Sequence, residues 1–310
     1  MIKYILGRIL QMIPVVLAVS FIIFTIMSFT PGDAAMMMLG EEATPEALAE
    51  LREEMGLNDP FLIQYFNYLK DALRGDFGIS YRTKEPVFSE TFARFPTTLK
   101  IVGLGILLSV IISIPIGVMA AVKQYSIFDN ITLFFSLITN CLPNFWIGML
   151  LMLVFSLFLG WLPATGIDSW KHYLMPLAAL SLGSISSYVR LTRSTMLETI
   201  RQDYIRTARA KGASEKTVIF KHALRNSLLP IITVAGTNFG YLIGGTIMIE
   251  AVFAIPGMGS LLINSVRGKD TPMVMANVLF VAVMAGVINL IVDVIYTFVD
   301  PRVKSRFAGK

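Results

Sequence analysis

The amino-acid sequence predicts an all-α polytopic membrane protein with six transmembrane helices. Two observations carry this reading. The 310 residues are 55% hydrophobic and only 15% charged, with a mean hydropathy of +0.68, whereas about a quarter of a soluble domain is charged. The charges are also bunched, leaving six stretches without Asp, Glu, Lys or Arg, and about 20 apolar residues suffice to cross the hydrocarbon layer. Because the net charge of +5 sits between those stretches, a basic nucleic-acid-binding face is not expected. One cysteine, Cys141, and two histidines, His172 and His222, allow no intrachain disulfide and disfavour zinc or Cys/His catalysis.

The first stretch, Ile9–Gly32, is longer than the apolar region of a signal peptide and no small-x-small cleavage site follows, so it reads as an uncleaved span. Ile101–Val122, His172–Val189, Asn226–Ile249 and Thr271–Val292 read as four further spans. Asn130–Ile167 is too long for one straight helix and carries Asn140, Pro143 and Asn144 in its middle. It reads as one kinked span ending near Leu159, with two half-spans as the alternative.

Charge sets the expected orientation. Lys3 and Arg8 precede the first span, and Arg302, Lys304, Arg306 and Lys310 follow the last against Asp300. Arg190–Arg225 holds nine basic and three acidic residues, a balance of +6, whereas Thr30–Leu99 holds six basic and twelve acidic residues, a balance of −6. By the positive-inside rule both termini and the Arg190–Arg225 loop face the cytoplasm and the acidic segment faces out. The expected organisation is therefore a short stub and first span over 1–32 and an extracellular helical segment over 33–99. A five-helix core follows over 100–299, with a cytoplasmic loop over 190–225, and a cytoplasmic tail over 300–310 ends the chain.

Both large connections carry helix signals. Outside, Thr44-Pro45-Glu46 supplies a cap, a first-turn proline and an early acid, with Leu48, Leu51 and Met55 at helical spacing before Gly56. A second start at Asn58-Asp59-Pro60 leads into Phe61, Leu62, Tyr65, Phe66, Leu69 and Leu73, an amphipathic pattern closed by Gly75. Its apolar face is expected on the outer ends of the spans or at the headgroups. The whole segment reads either as a stabilising cap or as a docking surface for a soluble delivery protein. Inside, Arg193–Lys211 reads as a helix, Gly212 as its left-handed stop and Ser214 as the cap of a second helix running through Lys221. Such a basic elbow could transmit motion as a unit, or could merely enforce topology and bind anionic lipid.

No phosphate-binding loop, H-E-x-x-H or G-x-S-x-G motif occurs, so neither ATP hydrolysis nor hydrolase chemistry is expected of this chain. Glu250 and Asp293 border spans five and six, where snorkelling or capping is the more ordinary role and ion coupling the rarer one. Gly236, Gly240, Gly244 and Gly245 form a ladder on span five suited to tight helix packing, within the subunit or across an interface. Asn140, Asn144, Met149, Met152, Phe155, Asn238 and Tyr241 are candidate lining of a pathway, and equally ordinary lipid or core contacts.

Asp203-Tyr204-Ile205-Arg206-Thr207-Ala208-Arg209-Ala210-Lys211-Gly212-Ala213-Ser214, followed by His222-Ala223-Leu224-Arg225-Asn226-Ser227-Leu228-Leu229-Pro230, resembles the cytoplasmic coupling motif of ABC importer permeases. The form is that of the dipeptide, oligopeptide and nickel group. Pro31-Gly32-Asp33, Gly56 to Pro60, Gly75 to Ser80, Glu250 to Gly259, Asp270 with Pro272, and Asp300-Pro301-Arg302 agree in order along nearly the whole chain. Arg206 and Thr207 stand where the general importer motif has Glu and Ala, so no role is carried over for that glutamate.

The resemblance implies a type I ABC importer permease fold in a prokaryotic inner membrane, taking di- or oligopeptides or alternatively nickel, a metal chelate or glutathione. It implies that Ala208 through Glu215 seat in a groove of an ATPase subunit, with Arg206 and Thr207 in the same elbow. It also implies a second homologous permease, two cytoplasmic ATPases carrying the ATP and magnesium, and an external binding protein. No cofactor is expected on this chain itself. The rival readings are an ion-coupled secondary transporter, which would want an inverted repeat and mid-membrane charges, and an anchor that moves nothing.

Overall fold

The computed structural model describes residues 2–30, 32–40 and 42–299, with side chains over 5–294 of these. Arg302, Lys304, Arg306, Lys310 and the Asp300-Pro301-Arg302 motif lie outside the described residues, as does Pro31. Among the described residues the chain is helical apart from its loops and one isolated β-bridge, Ile79 to Pro86. Five helices are long and apolar enough to cross a membrane, and a bent pair supplies a sixth crossing if its two arms count as one. Two compact units divide the chain, one of residues 2–98 with 256–286 and the other of 99–255 with 287 onward.

In the first unit, α1 (Ile2–Ser28) is the N-terminal apolar helix. Short α2 (Ala34–Leu39) follows, capped by Asp33, whose carboxylate accepts the Ala35 N–H at 3.1 Å. The same carboxylate receives the Arg52 guanidinium from α3 (Pro45–Glu54), with Nε at 3.1 Å, so one acid ties two helices. Thr44 caps α3 as its sequence predicts, and Gly56, at φ +64°, makes the turn that L-residues resist. α4 (Phe61–Ala72) starts at Pro60 without a side-chain cap. Gln64 reaches back instead, donating to the carbonyls of Asp59 at 2.8 Å and Leu57 at 3.0 Å.

A tight loop after Gly75 returns through Val87 N–H to the Gly78 carbonyl, 3.1 Å. Here Ser80 donates to buried Asp270 at 2.5 Å, and the same carboxylate accepts the Tyr81 N–H at 3.2 Å. Asp270 also precedes α13 (Thr271–Val299) and accepts the N–H of Met273, so it caps a helix while anchoring a loop distant in sequence. α12 (Met258–Arg267) is held at its start by Thr98, which accepts the Met258 N–H at 2.9 Å, and by Asn277, which donates to the Met258 carbonyl at 3.2 Å.

The second unit takes the rest of α5 (Val87–Val122), which begins well before the apolar run that betrays it. α6 (Ile127–Cys141) and α7 (Asn144–Leu151), the latter extended by a π-helical segment Met152–Phe158, form the bent pair. The expected kink is a break of 103° at Leu142-Pro143, which gives the third apolar run two short arms, as in the half-span alternative. Proline removes a donor and restricts its predecessor, which ends α6. α8 (Lys171–Ile200) is followed by α9 (Asp203–Ala210) and one-turn α10 (Glu215–Thr217). A π-helical segment, Val218–Ala223, leads into α11 (Leu224–Val252).

Asp33 carries a pH dependence of known sign. The Arg52 hydrogen bond, reinforced by the Ala35 N–H, holds its carboxyl below the usual carboxylate range against a smaller opposing effect of burial. A depressed folded value stabilises above the ordinary carboxylate range and is lost as pH falls through the folded value. We expect amide protection of α2 and α3, corrected for intrinsic exchange, to drop on acidification below that range. Asp33→Asn should lower protection at neutral pH and remove the drop.

Candidate functional site

The elbow between α8 and α11 is built around one apolar plug. Ile205 of α9 is fully buried among Val118 and Ala121 of α5, Met196 of α8, and Val218 and Ala223 of the π-helical segment. Ala208 and Ala213 are half-buried on the same cluster. Arg206, Thr207, Arg209, Ala210, Lys211 and Gly212 are exposed. The elbow is thus an apolar wedge with a basic outer surface.

Its closure is a Schellman turn. Gly212 N–H donates to the Arg209 carbonyl at 2.9 Å and Ala213 N–H to the Ala208 carbonyl at 3.2 Å, with Gly212 at φ +80°. Ser214 then caps α10 by accepting the Thr217 N–H. Across the turn Arg209 makes a two-point pair with Glu215, at 2.7 and 3.2 Å, while Arg206 is 3.9 Å from Asp203. The predicted single helix over Arg193–Lys211 is in fact two. α8 ends at Ile200 and Gln202 is extended, at ψ 150°, because seating Ile205 in the core requires a change of direction that a continuous helix cannot make.

Polar bonds tie the elbow to its spans. Ser227 of α11 donates to Thr199 Oγ1 at 3.0 Å and lies 3.3 Å from the Thr195 carbonyl, both on α8. Asn226 donates to the Tyr204 hydroxyl at 2.7 Å. Above them Arg193 of α8 grips Asp129 of α6 through Nε at 2.5 Å and Nη2 at 2.7 Å. Asp129 is 1% exposed and also accepts the Tyr125 N–H at 2.9 Å. This ion pair was not foreseen because each partner stands just outside an uncharged run. The one local signal is the Ser126-x-x-Asp129 pattern, an N-cap.

Three of the five leading pathway candidates converge on α8. Asn140 accepts from Ser187 at 3.2 Å, Asn144 carries its Oδ1 beside Gly183, and Asn238 of α11 donates to the buried Tyr188 hydroxyl at 3.2 Å. Thr139 and Ser186 share a further hydrogen bond between α6 and α8. The result is a polar seam without charge along Gly183–Tyr188. Met149 and Tyr241 are exposed and take no part in it, and Met152 and Phe155 are half-buried in the π-helical arm.

Of the glycine ladder, Gly236 and Gly240 have close helix neighbours. A Cβ on Gly236 would overlap Val292 of α13, and one on Gly240 would stand 3.0 Å from the Asn289 amide. Beside Gly244 there is open space, and beside Gly245 only Leu242, at 4.0 Å. The ladder therefore packs α11 on α13 along its first half alone. Glu250 is fully buried, which sets aside snorkelling, one of the two ordinary roles expected of it.

The chain matches the family of binding-protein-dependent transport system inner membrane components over residues 113–305, and that family's N-terminal component over residues 1–102. It belongs to that family. The permease is 40% identical over 306 residues to the glutathione transport system permease protein GsiC of Salmonella typhimurium, covering 99% of this chain and all of that one. It is 36% identical over 332 residues to the dipeptide transport system permease protein DppB of Alkalihalophilus pseudofirmus, covering 98% of this chain and all of that one. Among solved structures, the inward-facing MetNI methionine ABC transporter aligns with a TM-score of 0.59 at 20% identity, over 70% of this permease and 99% of that chain, which shows the shared fold. The chain is a membrane-spanning permease of a binding-protein-dependent ABC importer.

Nothing lies within 4 Å of a Cβ on Gly212, so Gly212→Ala costs only the left-handed backbone, about 1 kcal/mol, whereas proline, fixed near φ −65°, cannot close the turn. Asp129→Ala should destabilise the detergent-solubilised permease by about 3–5 kcal/mol by leaving Arg193 unpaired. Thermal melts should show most of that loss restored in Asp129→Leu/Arg193→Met.

Proposed function

We propose that this permease translocates di- or oligopeptides, and that its elbow, Arg206 to Glu215, is the surface on which ATPase subunits act. The observation that carries the elbow assignment is the burial of Ile205. A basic surface rigidly continuous with α5, α8 and α11 can pass a push to three helices at once. Moving a two-state equilibrium from 1:99 to 99:1 takes about 5.5 kcal/mol, which a wedge whose inner face is packed on three helices can bear and a loose loop cannot. In this reading ATP and magnesium reside on two partner ATPases, a second homologous permease completes the pathway, and a binding protein delivers cargo. The charge balance of +6 over Arg190–Arg225 supports a cytoplasmic elbow and cytoplasmic termini, in a prokaryotic inner membrane.

The uncharged polar seam on α8 supports peptide cargo, since amide and hydroxyl groups can exchange hydrogen bonds with a peptide backbone without fixing its side chains. The dipeptide name of one relative supports that class, and the glutathione name of the others supports the alternative, glutathione. Nickel or a metal chelate is a further competing cargo.

The test is uptake of labelled dipeptide, glutathione and nickel into vesicles holding the permease with its partners, with ATP supplied and ion gradients collapsed. ATP-dependent uptake of a peptide is expected; uptake that requires an ion gradient would overturn the importer mechanism, and uptake of nickel alone would overturn the cargo. Charge reversal of Arg209 and Lys211, or Gly212→Pro, should leave membrane insertion intact and abolish ATP-driven uptake while the partners still hydrolyse ATP. Unchanged coupled transport in both variants would refute the elbow assignment.

A further inference from the structure

Helix α4 presents three faces, and only two are accounted for. Phe61, Tyr65 and Tyr68 pack on Phe21 and Phe24 of α1, with ring centroids 5.2–6.1 Å apart. Gln64, Asn67 and Asp71 line an open cavity of about 850 Å³. The third face carries Leu62, Phe66 and Leu73, 58%, 66% and 89% exposed. These positions are spaced by four and seven, so they form one stripe on the helix.

The contact with α1 fixes the level at which that stripe sits. The Tyr65 hydroxyl is 2.9 Å from Ser20 Oγ and donates to the Leu17 carbonyl at 3.3 Å. α1 spans 27 residues, Ile2–Ser28, about 40 Å at 1.5 Å per residue, against a hydrocarbon layer of about 30 Å. Ser20 lies about 12 Å along the axis from Ser28. Even with the whole excess of about 10 Å projecting at the Ser28 end, Ser20 lies about 2 Å inside the hydrocarbon and Phe24 about 4 Å beyond its boundary, among the headgroups. A helix whose tyrosine hydroxyl reaches Ser20 and whose rings stack on Phe24 sits at that boundary. It is not a cap held clear of the membrane.

We propose that α4 is an interfacial helix sunk into the leaflet at the Ser28 end of α1, with Leu62, Phe66 and Leu73 in contact with acyl chains. One long helix face is then solvated by lipid, one is docked on a span, and the polar one borders the cavity. Amphipathic helices bury their apolar face about 5–10 Å into the headgroup boundary, which matches the level set by Tyr65. The inference rests on the membrane-spanning fold and is independent of the cargo.

The test is site-directed spin labelling of the full-length chain in phosphatidylethanolamine/phosphatidylglycerol vesicles, in a Cys141→Ser background. Labels are placed through Leu62→Cys, Phe66→Cys and Leu73→Cys, with Asn67→Cys and Asp71→Cys as polar-face references. Membrane-soluble oxygen should relax the first three labels more strongly than a water-soluble nickel chelate, and the order should reverse at 67 and 71. Dominance of the chelate at 62, 66 and 73 would overturn the proposal in favour of a soluble docking surface. Immobile labels reached by neither reagent would overturn it in favour of a protein-covered face.

Discussion

Ile205 is the contact on which the elbow of this permease depends. With it buried among the ends of α5 and α8 and the π-helical entry to α11, the elbow belongs to the bundle rather than hanging from it. Remove that plug and Arg206, Arg209 and Lys211 become charges on a tether. With it in place, their exposed surface is the outer skin of a packed core, and the Schellman turn, the Arg209–Glu215 pair and the Ser227–Thr199 bond all reinforce one rigid body.

Away from the elbow, polar groups add specific ties between the helices, which matter where lipid offers no hydrophobic drive for helices to associate. Asp129 and Arg193 clamp α6 to α8, Asn140 and Thr139 meet serines of α8, and Asn238 meets Tyr188. Where side chains are small instead, at Gly236 and Gly240, α13 comes close. The same helix, α8, thereby carries both the ion pair that holds the bundle and the polar seam proposed to meet cargo. A shift of α8 is felt in both.

Features encoded over a few neighbouring residues were legible from sequence. Thr44 and Ser214 cap, and Gly56 and Gly212 turn left-handed, because hydroxyl acceptors and missing Cβ atoms act locally. The six apolar runs were legible because span length is set by the bilayer. What long-range packing decides was not legible. The 103° break at Pro143 reads from sequence first as a kink, with two half-spans as the alternative, the division of α8 from α9 follows from where Ile205 must go, and the Asp129–Arg193 pair joins positions 64 apart in sequence. Glu250 reads as a residue at a span end, and only the fold shows it enclosed.

Gly212 closes the elbow at φ +80° with empty space where a side chain would stand. The demand at this position is therefore for handedness, not for smallness. A D-alanine, whose mirror-image backbone preference suits a positive φ, would fit the turn better than glycine itself, since it has less freedom to lose on folding. The twenty encoded residues offer no such option. At this turn between α9 and α10, glycine is the ribosome's nearest approach to a D-amino acid.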